Sequence, residues 1–289
     1  MTTHRLVLAF TVAAMALTGP LTLAQQPAAP AALYNTVKQK LKDGRQVVGG
    51  TVINPDQDIY CTMANGGFDF LWIEMQHSPL TYQDVARMIA HCKGATAIPF
   101  VRVPDATEGD IQKAVDIGAL GVIVPMVDTV EKAQNAVKFA KYPPTGRRSQ
   151  GSGQYASLWP RGYRQSANDN IVIVAMIENP AGVAIADKIA AVPGIDVVFV
   201  AATDLSSFSG SRQGQPDYEA LVTRVFDATT KAGLKVGGPV AWKDTRKGYS
   251  FFQGSEDTQL LRAGIQASLK GQAESEAPRG VAPLEGAQK

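Results

Sequence analysis

The sequence predicts an α/β fold, a single-domain (β/α)8 TIM barrel, and three observations predict it. From residue 47 onward, apolar β-rich runs alternate with helix-period segments, the pattern of parallel strands joined by crossover helices. The runs are apolar at successive rather than alternate positions, as in strands buried on both faces. Eight such runs fall within about 240 residues, the size of a closed eight-stranded barrel. A doubly wound open sheet shares the alternation but carries a Gly-rich phosphate-binding turn after its first strand. Here, in "GGTVINP", Gly49 and Gly50 lie inside the strand instead.

Taken in order, the first strand spans 47–53 and a helix-period segment follows at 55–65. The second strand, 70–76, has the apolar centre Leu71, Trp72 and Ile73, and a helix is expected at 82–93. "IPFVRV" makes the third strand, 98–103, before a helix at 108–118. "GVIVPMV" makes the fourth, 121–127, before a helix at 129–142. Next comes a long insertion, 142–170, rich in Gly, Arg, Ser and aromatic residues, which should lie over one barrel mouth as a lid, a binding loop or a disordered segment. The fifth strand, 171–178, the sixth, 197–204, and the seventh, 235–241, are separated by helices at 180–192 and 218–232. The gap before the eighth strand, 249–253, leaves room for a helical turn at most.

The 289-residue chain has 45% hydrophobic and 19% charged residues, a globular composition long enough for one large core. Its formal charge of +2 and the lack of a Lys/Arg stripe give no reason to expect a nucleic-acid partner. The ends differ from the rest. Arg5, the apolar run 6–17, the break at Gly19-Pro20 and the small residue Ala24 read as a Sec-type secretory signal peptide over 1–24. Cleavage is expected after Ala24, followed by a Pro/Ala linker at 25–32, the barrel domain at 33–270 and a polar, disordered tail at 271–289. The apolar run is too short to span a bilayer, so a soluble periplasmic or secreted protein is expected, with no membrane contact after cleavage. Two cysteines remain, Cys61 and Cys92. They fall in consecutive helices of a chain bound for an oxidising compartment, so a disulfide and two buried free thiols both stay open.

Catalysis in a (β/α)8 barrel occurs where the C-terminal ends of the strands share one mouth. The second strand ends in Glu74, Gln76 and His77, the third in Arg102, the fifth in Glu178 and the sixth in Asp204. Asp128, after the fourth strand, suits either a strand end or a helix cap. Two carboxylates with few nitrogen or sulfur donors suit a hard divalent cation such as Mg2+ or Mn2+. A cation of that kind polarises the carbonyl of a 2-oxo acid. Arg102 can stabilise a developing oxyanion and His77 can move a proton. Lys235 opens the seventh strand, at the wrong face for an imine-forming lysine.

These motifs carry a resemblance. "FDFLWIEMQHSP", "PFVRVPD", "DIGALGVIVPMVDTVEKAQNAVKFAKYPPTGRR", "MIENPAGV" and "GIDVVFVAATDLSSFSG" together resemble the HpcH/HpaI aldolase family, the metal-dependent class II 2-oxo acid (pyruvate) aldolases of the citrate lyase beta-like superfamily. The resemblance runs from about Leu33 to Gly264. It implies a barrel that assembles as a homo-oligomer, trimer or hexamer, and cleaves 4-hydroxy-2-oxo acids to a small 2-oxo acid and an aldehyde. It implies Glu178 and Asp204 as metal ligands for Mg2+, Mn2+ or Co2+, Arg102 on the keto or enolate oxygen, and His77 as the base. It also implies Glu74 as the catalytic partner of His77, and a substrate contact through Thr203, Asp204 and Met176.

Four positions depart from the family pattern. Glu74 stands where an Asp is usual, Gln76 where an acidic residue precedes the His, and Met176 where a Gln precedes the metal Glu. Ala201-Ala202-Thr203-Asp204 replaces Gly-Pro-Ala-Asp. The expectation is an exported metal-dependent aldolase or lyase working through a pyruvate-type enolate. A related lyase or decarboxylase of a bulkier dicarboxylate, held by Arg147, Arg148, Arg161 or Arg164, is the alternative. A non-catalytic periplasmic oxo-acid or metal-binding protein is the reading outside enzymes.

Overall fold

Strands buried on both faces need a partner on every side, and the eight apolar runs meet that need by closing on themselves. The computed structural model describes residues 32–276. A first helix, α1 (Thr36–Lys42), precedes β1 (Val47–Val52), α2 (Gln57–Asn65), β2 (Phe70–Glu74), α3 (Tyr82–His91), β3 (Ile98–Arg102), α4 (Glu108–Asp116), β4 (Gly121–Val124) and α5 (Val130–Ala140). The chain continues with α6 (Tyr155–Leu158), α7 (Tyr163–Asn170), β5 (Val172–Ile177), α8 (Pro180–Ala184), α9 (Ala186–Ala190), β6 (Val197–Val200), α10 (Ala202–Ser209), α11 (Pro216–Lys231) and β7 (Lys235–Pro239). A 3-10 turn (Val240–Trp242), β8 (Tyr249–Glu256) and α12 (Asp257–Glu276) complete it. The strands are parallel and pair in chain order, with β8 returning to β1, so the molecule is a closed (β/α)8 barrel.

Aromatic side chains fill the barrel. Phe70, Phe100 and Phe251 pack with ring centroids 4.5–5.8 Å apart, and Trp72 meets Phe199 at 5.2 Å. Residues two apart on a strand share a face, so Phe70 and Trp72 lie beneath Glu74, and Phe100 beneath Arg102. The rings need space on neighbouring strands, and Gly121 supplies some. A Cβ there would sit 2.0 Å from the Phe100 ring. The result is a rigid apolar floor under the C-terminal mouth.

Several expectations are corrected. The sixth strand ends at Val200 rather than at 204, because the chain turns at Ala201 into α10 and puts Asp204 in a helix's first turn. The helix expected at 180–192 is two short ones, broken at Ile185. The 142–170 insertion, expected over one barrel mouth, has its place set by chain direction. It follows a helix and precedes a strand, so its two ends start from the barrel's N-terminal end, while Arg147 reaches along α4 to Glu108. Past the C-terminal end of α4, Gln154 donates to Ile117 O, and Trp159 donates to Gly118 O. Helix α12 runs to Glu276, into the stretch expected as a tail. The expected signal peptide and most of the linker, and the tail beyond 276, lie outside the described residues. Cys61 and Cys92 are joined by a disulfide that ties α2 to α3, with the two Cα atoms 5.3 Å apart.

Candidate active site

Parallel register sets the first contact of the site. The last residues of β2 and β3, Glu74 and Arg102, are direct partners in the sheet, and Arg102 Nη1 donates to Glu74 Oε2 at 3.1 Å. Trp72 Nε1 donates to the same oxygen at 3.1 Å. The other oxygen, Oε1, accepts the main-chain N–H groups of Gln76 and His77 at 2.8 and 3.0 Å. Both oxygens of Glu74 are therefore occupied. Glu74 meets His77 through the backbone rather than the imidazole, so it shapes the turn that carries the histidine.

Arg102 also reaches the end of β5, where Nη2 approaches Glu178 Oε1 at 3.5 Å. Glu178 is 2% exposed. Its Oε1 accepts the Met126 N–H at 3.0 Å, while Oε2 accepts no hydrogen bond among the described residues. Burial pushes the Glu178 carboxyl above the usual carboxylate range, and the Asp204 charge adds to the rise. The Arg102 guanidinium, the Met126 N–H and His77 pull it back. Asp204 and His77 thus stand close enough to Glu178 to act on it electrostatically.

The remaining expected residues fall into two groups. Asp204 and exposed Thr203 lie in the first turn of α10, whose N-cap residue, Ala201, provides no side-chain cap. Exposed His77 stands on the turn after β2, and Gln76 beside it has a buried Oε1 with no partner. Met176 shares a face with Glu178 but is buried one step below it, on the β6 side next to Phe199. The insertion arginines lie elsewhere. Arg148 is buried among Tyr142, Tyr155 and Tyr163, pairs with Asp116 at 2.7 Å and donates to Tyr163 Oη at 3.0 Å. Arg147 pairs with Glu108 at 2.9 Å, and Arg164 donates to Gly151 O at 2.8 Å. Arg148 is therefore fully engaged, and neither Arg147 nor Arg164 contacts Glu74, Arg102 or Glu178.

The donor set suits a divalent cation. Glu178 and Asp204 are hard oxygen donors, and the raised Glu178 carboxyl marks a buried charge that gains from a further cation. Among the described residues no three His, Cys, Asp or Glu side chains converge to hold a metal ion, so a cation here would rest on these two carboxylates. Arg102 Nε is a buried donor without a partner, suited to a substrate oxygen.

Two residues of the site had escaped the sequence reading. The buried Trp72 indole, a donor that needs an acceptor, could have been flagged beside Glu74. Met126 left no such signal, because its role is played by the main chain.

Residues 54–260 match the family model described as HpcH/HpaI aldolase/citrate lyase. The chain is similar to a 2-dehydro-3,6-dideoxy-6-sulfogluconate aldolase of Pseudomonas putida, with 30% identity covering 75% of this chain and 88% of that one. It is equally similar, at 30% identity, to a 2-keto-3-deoxy-L-rhamnonate aldolase of Salmonella gallinarum, covering 83% and 93% of the two chains. Among solved structures it resembles an HpcH/HpaI aldolase/citrate lyase family protein of Burkholderia cenocepacia. The TM-score there is 0.73 with 31% identity, over 82% of this chain and 99% of that one.

Proposed function

The chain belongs to the HpcH/HpaI aldolase/citrate lyase family and is a carbon–carbon lyase of the aldolase type; from that premise we propose that it is an exported, divalent-metal-dependent enzyme cleaving or forming a 4-hydroxy-2-oxo acid. The observation that carries this reading is the buried line Glu74–Arg102–Glu178 across the ends of three strands, with Asp204 in the first turn of the helix that follows the neighbouring strand β6. The relatives' named substrates point to a small oxo acid and an aldehyde.

A divalent cation (Mg2+, Mn2+ or Co2+) held by Glu178 and Asp204 would polarise the keto oxygen and lower the barrier to breaking the bond between C3 and C4. The chain's own groups supply the rest. The uncapped first turn of α10, at Thr203 and Asp204, turns N–H donors toward the substrate carboxylate. Arg102, clamped by two carboxylates, keeps Nε for the oxyanion that develops at C2. His77 accepts the 4-hydroxyl proton, directly or through water. The electrons of that O–H bond form the aldehyde carbonyl, the C3–C4 pair moves to C2–C3, and C3 then takes up a proton to give pyruvate or a related acid.

Export rests on the leader-like residues 1–24, and the Cys61–Cys92 disulfide suits a periplasmic or secreted setting. Assembly with further copies is supported by the exposed apolar stripe of α12. The decisive experiment measures pyruvate release from 4-hydroxy-2-oxo acids by the mature protein with each metal and with chelator. Metal-dependent release is expected. Release that chelator leaves untouched would refute metal dependence, and a bound metal with no release would refute the substrate class.

A further inference from the structure

Met126 is, among the described residues, the one non-glycine with a positive φ, at +51°. An L side chain is disfavoured there, and such conformations persist only where surrounding contacts hold them. Both polar groups of Met126 are in use. Its N–H donates to Glu178 Oε1 at 3.0 Å, and its carbonyl accepts the Lys132 ammonium at 2.9 Å. The ammonium also pairs with Asp128 at 3.1 Å, and Asn179 donates to the other Asp128 oxygen at 3.3 Å. Asn179 directly follows Glu178 and accepts the Gly182 N–H at 2.9 Å. These contacts form a ring from Glu178 through Met126, Lys132, Asp128 and Asn179 back to Glu178. The loops after β4 and β5 meet closely here, since a Cβ on Gly182 would lie 2.8 Å from Val127 O.

We propose that Lys132 is a positioning residue: its ammonium holds Met126 in the left-handed conformation that aims an N–H at Glu178 and so fixes that carboxylate for a divalent cation. This rests on the reading of Glu178 as a metal ligand. Partners that orient a ligand in this way typically change metal affinity 10–100-fold when removed. The sign separates positioning from simple charge. Lys132 is a cation near a cation site, so deleting its charge should tighten metal binding if charge alone matters. It should weaken binding if Lys132 positions Glu178.

The test is Mn2+ titration, read by electron paramagnetic resonance, of wild-type protein, Lys132→Met, Lys132→Arg, Met126→Gly and the Lys132→Met/Met126→Gly double variant. Glu178→Gln serves as the control, and thermal melts establish that each variant is folded. Lys132→Met is expected to bind at least ~10-fold more weakly, and Lys132→Arg to recover most of the loss. Glycine adopts positive φ freely, so in the Met126→Gly background the lysine deletion should cost less than about a third of its effect in wild type, a coupling read as a double-mutant cycle. Equal or tighter binding by Lys132→Met, or an equal loss in both backgrounds, overturns the inference while leaving Glu178 as a ligand. Wild-type binding that survives Glu178→Gln, or no wild-type binding, overturns the ligand reading and this inference with it.

Discussion

Arg102 has three kinds of donor and three different situations for them: one on Glu74, one toward Glu178, and one buried without a partner. A buried guanidinium between two carboxylates costs desolvation, and such groups contribute less to stability than to placing charge in one geometry. Removing Glu178 takes away one carboxylate but leaves Glu74 on Arg102, so the fold should survive. For Glu178→Ala the expected outcome is a folded barrel that retains no cation after dialysis, measured by elemental analysis and circular dichroism. Unchanged metal content would end the assignment. His77 is exposed and its ring makes no hydrogen bond among the described residues, so its loss should barely touch stability. With His77→Ala, metal content should stay intact while turnover falls at least ~10²-fold, the scale of a lost general base. Wild-type turnover would move the base to another group.

Helices α2, α3 and α5 carry two effects that belong to elements rather than to the site. The α2–α3 disulfide closes a loop with a sequence separation of 31, for which chain entropy predicts about 3–4 kcal/mol of stabilisation. Reduction should therefore lower Tm by roughly 10 °C; coincident melts with and without reductant would mean that the link adds nothing. At the end of α5, burial pulls the Lys141 amine below the ordinary lysine range, with Asp196 opposing, Lys38 assisting and Asp169 opposing. The unfolded chain then binds more protons than the folded one, so stability rises with pH through the window up to the ordinary value of 10.5. Lys141→Met should accordingly melt higher than wild type at pH 7, with the gap closing toward that value. A gap that does not vary with pH would show that charge burial is not its cause.

The strands were legible because two-sided burial writes itself as unbroken apolar runs, and the site was legible because Glu74, Arg102 and Glu178 interrupt those runs at their ends. Asp204 reads in sequence as a strand end, but it stands in the first turn of a helix. Helices α6 and α7 were hidden because polar sequence such as "YRQSANDN" becomes helical only against the Arg148–tyrosine cluster. Which barrel end the insertion meets was a matter of direction. A segment running from helix to strand returns to the N-terminal face. Met126 was beyond reach, since φ at one residue is set by neighbours distant in sequence.

At the scale of the molecule, α12 is the element least at rest in a single chain. Leu261, Ile265 and Leu269 recur every four residues, a single helical stripe, and are 57%, 51% and 59% exposed. Beside them a cleft of about 690 Å3 is lined by Ile59, Met63 and Phe68 together with Leu260, Leu261 and Ile265. The stripe thus forms one wall of an open apolar cleft, in which the same stripe of a second copy can seat. A two-fold contact uses the same patch on both partners and needs that self-complementarity, whereas a soluble monomer rarely leaves so continuous a patch in water. The barrel end of α12 is held separately, by Asp257 accepting the N–H groups of Ile53 and Asn54 at 2.8 and 3.0 Å. Charging the stripe should therefore break assembly without unfolding the barrel. Wild-type protein is expected to sediment as an oligomer, and a Leu261→Glu/Ile265→Glu variant as a smaller species with unchanged circular dichroism. A wild-type monomer would refute self-assembly, and an oligomer that survives both charges would place the contact on another face of the barrel.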